Sequence, residues 1–424
     1  MVGIFLGSLF GSLALGVPIA FALILCGVAL MFTLDMMDAQ IVAQNLINGA
    51  NNFSLMAIPF FVLAGELMNA GGISKRIVGF AMALVGHIRG GLGFVAIIAS
   101  ILFAGLSGSA VADTAALGAI LIPMMIARGY DIKRATGLIC ASGIIAPVIP
   151  PSIPLIIYGV TAGVSITQLF MGGIVPGVMM GLGLIVAWAL ISRRDTSELP
   201  KRKSLKEILQ ATKQASWALL LPVIIIGGLR GGIFTPTEAA VVAAFYALFV
   251  GMAVYREMNW KDISHVLVSA AKTTAVVMFV AAAAMVSAWL ITVADVPGEM
   301  ARLLGGLVEN PLMLMLVINL LLLAVGLVMD LTPAILIFTP VFLPLAEIAG
   351  IDPVYFGIVM TINLCIGLIT PPVGTVLYVG CGISKIDIGA LTRGIWPFVL
   401  VHVIVLLLLI LFPSIITVPL QFLT

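Results

Sequence analysis

A succession of long apolar runs, almost free of charge inside, limits this chain more than any other feature. Such runs cover residues 3–33, 91–128, 135–163, 167–192, 215–229, 236–255, 264–294, 311–349, 353–383 and 394–422. A membrane-spanning helix needs about 20 mostly apolar residues, and most of these runs reach that length. Composition agrees: 62% of the 424 residues are hydrophobic and 9% are charged, against roughly a quarter charged in a soluble domain. The chain reads as an all-α polytopic membrane protein with about eleven to thirteen membrane segments, some of them incomplete crossings. The first run lacks a basic leader and a small-residue cleavage site, so it is not a signal peptide.

Other classes fall away quickly. A net charge of +2 with no basic face excludes a nucleic-acid partner. Three His and four scattered Cys (Cys26, Cys140, Cys365, Cys381) give neither a disulfide framework nor a zinc site. No Walker-type Gly-Lys-Ser/Thr motif occurs, so a gradient rather than ATP must drive any transport.

The one strongly hydrophilic stretch is residues 193–213, with Arg193, Arg194, Lys201, Arg202, Lys203, Lys206 and Lys213. The positive-inside rule makes it cytoplasmic. It divides the chain into a first half at 1–192 and a second at 215–424, joined by a linker at 193–214. After it, Thr235-Pro236-Thr237-Glu238 predicts a helix start, with Thr235 as cap, Pro236 at the first position and Glu238 reaching back.

Sliding the chain against itself by 221 positions brings the halves into ungapped register. Gly105, Leu106, Pro123, Gly129, Asp131, Ile145, Pro150 and Pro151 fall on Gly326, Leu327, Pro344, Gly350, Asp352, Ile366, Pro371 and Pro372. Most of these are Gly, Pro or Asp, the residues that interrupt helices. Arg128, Lys133 and Arg134 flank the first copy where the second has no basic residue, and Lys385 and Arg393 follow only the second. The basic side has switched ends, as in two copies inserted upside down. Inverted repeats with paired interruptions indicate a secondary transporter whose site lies where the breaks meet.

Each copy breaks twice, over about 91–163 and about 311–383. The first breaks are Gly105-Leu106-Ser107-Gly108-Ser109 with Asp113 and Thr114, and Gly326-Leu327-Val328-Met329-Asp330 with Thr332. Unwound backbone in lipid leaves carbonyls to be satisfied, and a cation with oxygen ligands can satisfy them. Hydroxyls of Ser107, Ser109, Thr114 and Thr332 add hard oxygen, which suits Na⁺. A charge at mid-bilayer costs about 2.5–3.5 kcal/mol, so Asp113 and Asp330 each need a partner, as a helix cap or at an ion site. The second breaks are 146–152, with Pro150, Pro151 and Ser152, and 369–374, with Thr370, Pro371 and Pro372. They read as packing kinks or as substrate contacts. Two re-entrant hairpins are expected upstream, one at about 39–70 with the tip Asn51-Asn52-Phe53-Ser54. The other, at about 260–294, has the tip Lys272-Thr273-Thr274-Ala275. Glu66, in the first hairpin, is expected to be paired or to act as a cap, and Lys272 to snorkel or to meet a carboxylate.

The segment Gly105-Leu106-Ser107-Gly108-Ser109-Ala110-Val111-Ala112-Asp113-Thr114 resembles a TRAP transporter large membrane subunit. Ile122-Pro123-Met124-Met125, 150–154, 235–240 and 369–374 carry the same resemblance, from the first span to the last. It implies an inverted-repeat elevator fold in the bacterial inner membrane, with no organic cofactor and Na⁺ as coupling ion. It also implies three partners: a separate small four-helix membrane subunit, a periplasmic binding protein and the organic acid anion that this protein delivers. Carried over by position, one Na⁺ site takes Asn52, Ser54, Ser107, Gly108, Ser109 and Asp113. The other takes Thr273, Thr274, Gly326, Asp330 and Thr332, and substrate lies near Pro150, Pro151, Ser152, Thr370, Pro371 and Pro372. The likeness is nearest to members handling sugar-derived acids such as 2,3-diketo-gulonate.

Two rivals are weighed against it. A stand-alone Na⁺/dicarboxylate carrier shares the plan but is expected to carry Ser-Asn-Thr at both hairpin tips. An intramembrane aspartyl protease using Asp113 and Asp330 needs Gly-x-Gly-Asp or Tyr-Asp contexts, whereas these read Val-Ala-Asp and Val-Met-Asp. The chain is therefore not expected to be an enzyme.

Overall fold

The computed structural model describes residues 1–194 and 202–423; residues 195–201 of the basic linker, Lys201 among them, lie outside the described residues. All regular elements among the described residues are helices. Eight of them are long and apolar enough to cross a membrane, and eight more are apolar but shorter, at 10–17 residues. The chain is a polytopic all-α membrane protein.

Local chemistry sets the helix starts. The helix Pro236–Phe249 opens on the box expected from Thr235: the Thr235 amide donates to Glu238 at 2.8 Å, and the Glu238 amide donates to Thr235 Oγ1 at 3.3 Å. Ser204 and Glu207 build the same box for Leu205–Arg230. Lipid tails are as apolar as leucine, so close packing must hold the helices together, and small residues permit it. A Cβ on Gly71 would sit 2.9 Å from the Gly251 Cα, and one on Gly137 2.9 Å from the Ile395 Cα.

The repeat is present in the structure. Shifted by 221 positions, Ala110–Ala127 lands on Leu331–Ile348 residue for residue, and Ile132–Gly143 falls within Pro353–Gly367. Ile166–Ile191 falls one residue from Ile388–Leu411 at each end. The copies also exchange neighbours. Thr375–Ser384 of the second packs on Ala110–Ala127 of the first, and Ile153–Ala162 of the first packs on Leu331–Ile348 of the second. That reciprocity is what a two-fold relation between the copies produces.

The hairpins are not where the sequence placed them. The expected hairpin at 260–294 is one uninterrupted helix, Trp260–Val293. Lys272-Thr273-Thr274-Ala275 holds no Gly or Pro to break it, and all four continue the helix. The expected hairpin at 39–70 does turn at Asn51–Asn52. Its limbs Ala39–Ala50 and Ala57–Ala70 pack chiefly on Trp260–Val293 and Pro236–Phe249, not on each other.

The fold-backs occur instead at the first breaks. Ser100 donates to Ser142 at 2.9 Å, while a Cβ on the next residue, Gly143, would run into Thr114 Oγ1. Adjacent residues can touch both only if Ala110–Ala127 returns alongside Gly91–Ser107. In the second copy Asn363 Nδ2 donates to Asn319 at 2.8 Å and Met360 meets Thr339 at 3.8 Å, so Pro311–Gly326 and Leu331–Ile348 fold back likewise. The second breaks, by contrast, are true interruptions: Ile132–Gly143 gives way to Ile153–Ala162, and Pro353–Gly367 to Thr375–Ser384.

Candidate functional site

In the first copy the hairpin tip rests on the proline break. Gly108 adopts φ +62°, which turns the chain from Ser107 to Ser109. A Cβ there would meet the Pro151 carbonyl oxygen at 2.5 Å, so only glycine lets the tip approach so closely. Ser109 caps the returning limb, accepting from the Ala112 amide at 3.4 Å. Ser107 accepts from the Ser109 amide at 3.1 Å and donates to Asp113 Oδ1. Asp113 is fully buried, and its Oδ2 has no partner. The hydroxyl of the neighbouring Thr114 is also buried and unpartnered. Capping thus falls to Ser109, and Asp113 and Thr114 keep oxygens to spare.

The break beneath is closed: Pro150, Pro151 and Ser152 are buried. The Ser152 hydroxyl donates to the Pro147 carbonyl and accepts from the Leu155 amide at 3.2 Å, so it starts the half-helix Ile153–Ala162.

In the second copy tip and break are tied directly. The Val373 amide donates to the Leu327 carbonyl at 3.2 Å, and Thr375 Oγ1 donates to Asp330 Oδ1 at 3.1 Å. Gly326 and Gly367 meet so closely that a Cβ on Gly367 would lie 2.6 Å from the Gly326 carbonyl oxygen. Asp330 stands at the cap position of Leu331–Ile348, yet its side chain makes no capping bond. This break is open: Thr370 and Pro371 are half-buried and Pro372 is exposed.

Helices outside the hairpins complete the surroundings. A cavity of about 290 Å³ joins Ser107 and Ser109 to Glu66, Asn69 and Thr273. Another, of about 680 Å³, joins Asp330 and Thr332 to Pro18, Phe21, Ala275 and Val276. Thr273 therefore faces the first tip rather than Asp330. The long helix turns by about 100° per residue, so neighbouring positions along 273–276 address different hairpins. Asn52 and Ser54 also lie apart from Ser107 and Asp113. They line a cleft of about 460 Å³ with Gly163, Thr235 and Thr237, where the Asn52 side chain accepts from the Ser54 amide at 3.0 Å.

Sequence reasoning missed Thr375, which reaches Asp330 only through the fold. Glu66 is paired as expected, accepting from Ser269 at 3.1 Å, but it also faces the first tip.

Known proteins with this pattern are transporter subunits. Residues 6–415 match the family model described as tripartite ATP-independent periplasmic transporter, DctM component. The chain is 56% identical over 418 residues to the 2,3-diketo-L-gulonate TRAP transporter large permease protein YiaN of Escherichia coli, covering 99% of this chain and 98% of that one. It is 42% identical over 412 residues to the sialic acid TRAP transporter large permease protein SiaM of Vibrio cholerae, covering 96% of each. A solved structure of the Alcanivorax borkumensis YdaH transporter, described as having an unusual topology, aligns with TM-score 0.60 over 89% of this chain and 90% of that one. At 14% identity that likeness concerns the fold alone. The chain belongs to the TRAP transporter family, as its DctM-type large permease subunit.

Proposed function

We propose that this subunit imports an organic acid anion across the bacterial inner membrane, driven by Na⁺ and fed by a periplasmic binding protein. A small four-helix subunit completes the membrane part. The two hairpins and interrupted helices move together as an elevator against the remaining helices. The observation that carries the reading is Asp113: a fully buried carboxylate with one oxygen unpartnered, beside an unpartnered Thr114 hydroxyl. An uncompensated buried charge is strongly destabilising, and a hard cation on these oxygens relieves it. Asp330 and Thr332 supply the corresponding oxygens at the second tip. The substrate anion lies between the tips, near the two proline breaks. Relatives named for diketogulonate and sialic acid point to a sugar-derived acid as substrate. Each net positive charge moved inward across 100 mV releases about 2.3 kcal/mol, so carrying more Na⁺ than substrate charge drives accumulation.

The test is uptake by proteoliposomes holding this chain and its small partner, offered labelled organic acids under Na⁺ or K⁺ gradients. Uptake is expected to need both Na⁺ and the binding protein. Uptake that needs Na⁺ alone would assign a stand-alone carrier, and uptake indifferent to Na⁺ would remove the ion sites.

A further inference from the structure

A cleft of about 830 Å³ lies far from the hairpin tips in sequence and chemistry. It opens between Ile73–Val85, the start of Leu205–Arg230 and residues 254–257. Lys75, Arg76, Lys203 and Lys213 line it, with Glu257 as the one lining carboxylate among the described residues and Gln210 and Gln214 as neutral donors. Among the described residues, four cations against one carboxylate leave three positive charges facing the cleft. Glu257 is already engaged, 2.8 Å from Arg76 and 3.8 Å from Lys75. Among the described residues neither Lys203 nor Lys213 forms an ion pair within 4.0 Å, though the Glu207 carboxylate lies within electrostatic reach of Lys203.

The rim is aromatic. The Arg76 guanidinium sits 3.6 Å from the centroid of the Tyr255 ring, and the Tyr255 hydroxyl donates to the Gln214 carbonyl at 3.0 Å. Trp217 clusters with Tyr246 and Phe249 at ring distances of 6.4 and 6.3 Å. Amphipathic rings gather at the headgroup level of a bilayer, and the adjoining basic linker puts this level on the cytoplasmic side. From there Trp217, Leu220 and Val223, spaced three apart on one helix, are 40%, 44% and 64% exposed and run into the span. The cleft thus offers a cationic socket continuous with an apolar track. A free phosphate would use the socket and leave the track bare.

We propose that this cleft binds an anionic phospholipid, its phosphate held by Lys203 and Lys213 and its acyl chain lying along Trp217, Leu220 and Val223. Each lysine beside a membrane surface strengthens attraction to anionic lipid by roughly fivefold.

The experiment uses the full chain in phosphatidylcholine vesicles that contain a minor share of acyl-brominated lipid. Trp217 fluorescence is obtained by subtracting a Trp217→Phe variant. Brominated phosphatidylglycerol is expected to quench Trp217 with an apparent association about 25-fold stronger than brominated phosphatidylcholine, roughly fivefold for each lysine. The double variant Lys203→Gln/Lys213→Gln should lose most of that preference while quenching by brominated phosphatidylcholine stays unchanged, which reports intact insertion. Equal quenching by the two lipids in the unaltered chain would overturn the proposal without recourse to a variant. So would a full preference retained by a double variant that inserts normally. Millimolar inorganic phosphate at constant ionic strength should leave the preference in place; its loss would assign the socket to a soluble anion instead.

Discussion

The two hairpin tips occupy equivalent positions in the repeat and have different surroundings. At the first, Asp113 is fully buried with an unpartnered oxygen, and Pro150, Pro151 and Ser152 are covered. At the second, Asp330 borrows a hydrogen bond from Thr375, and Thr370, Pro371 and Pro372 reach the surface to different degrees. The first copy is closed around a buried carboxyl group with an unpartnered oxygen, and the second is tied but open. An inverted repeat allows this, because a two-fold axis relating the copies exchanges the two faces of the membrane. Similar sequence register therefore yields one covered and one accessible proline break.

The largest expected effect comes from removing the carboxylates. Asp113→Ala and Asp330→Ala should each abolish Na⁺-dependent uptake in proteoliposomes, by at least about tenfold for loss of a charged ligand, with membrane insertion intact by protease protection. Near-normal uptake by both variants would remove the tips from the ion sites. Next in size is backbone strain at the closed tip. Gly108→Ala forces a side chain into φ +62° and onto the Pro151 carbonyl, and should cost about 1–3 kcal/mol. Gly326→Ala meets the Gly367 Cα at 3.2 Å without a positive φ, and should cost less. Thermal unfolding of the two variants in detergent gives the order, and the reverse order would contradict the unequal tips.

Accessibility addresses the same difference from outside. In a Cys381→Ser background, a cysteine at Pro372 should react with a membrane-impermeant maleimide while one at Pro151 stays protected. Equal labelling would make the two breaks alike. The smallest effect belongs to Thr375→Val, which removes the Asp330 tether and should lower stability by about 1 kcal/mol; an unchanged melting temperature would make that bond incidental.

Much of this architecture can be read from the residues, and its limits have physical causes. The repeat register showed because Gly and Pro punctuate backbone irrespective of context, and Thr235-Pro236-Thr237-Glu238 showed because a cap is a local structure. The hairpins were misplaced because a Gly-Ser break looks the same whether the helix resumes forward or folds back. Only contacts distant in sequence, Ser100 with Ser142 and Asn319 with Asn363, separate the two outcomes. The polar turn at Asn51–Asn52 suggested a matching tip at Lys272–Ala275, but the second copy has no Gly or Pro there and stays continuous. Grouping Thr273 with Asp330 failed for the same reason, since helical rotation sends Thr273 to the opposite tip. Thr375 was invisible because nothing in its neighbourhood distinguishes a tether from an ordinary helix start.

The most direct test of the central claim is equilibrium binding of radioactive sodium to the purified chain and to its Asp113→Ala and Asp330→Ala variants. Each variant is expected to bind less Na⁺ than the unaltered protein, with the double variant binding none. Unchanged Na⁺ binding in the double variant would contradict the placement of the coupling ion at the two hairpin tips.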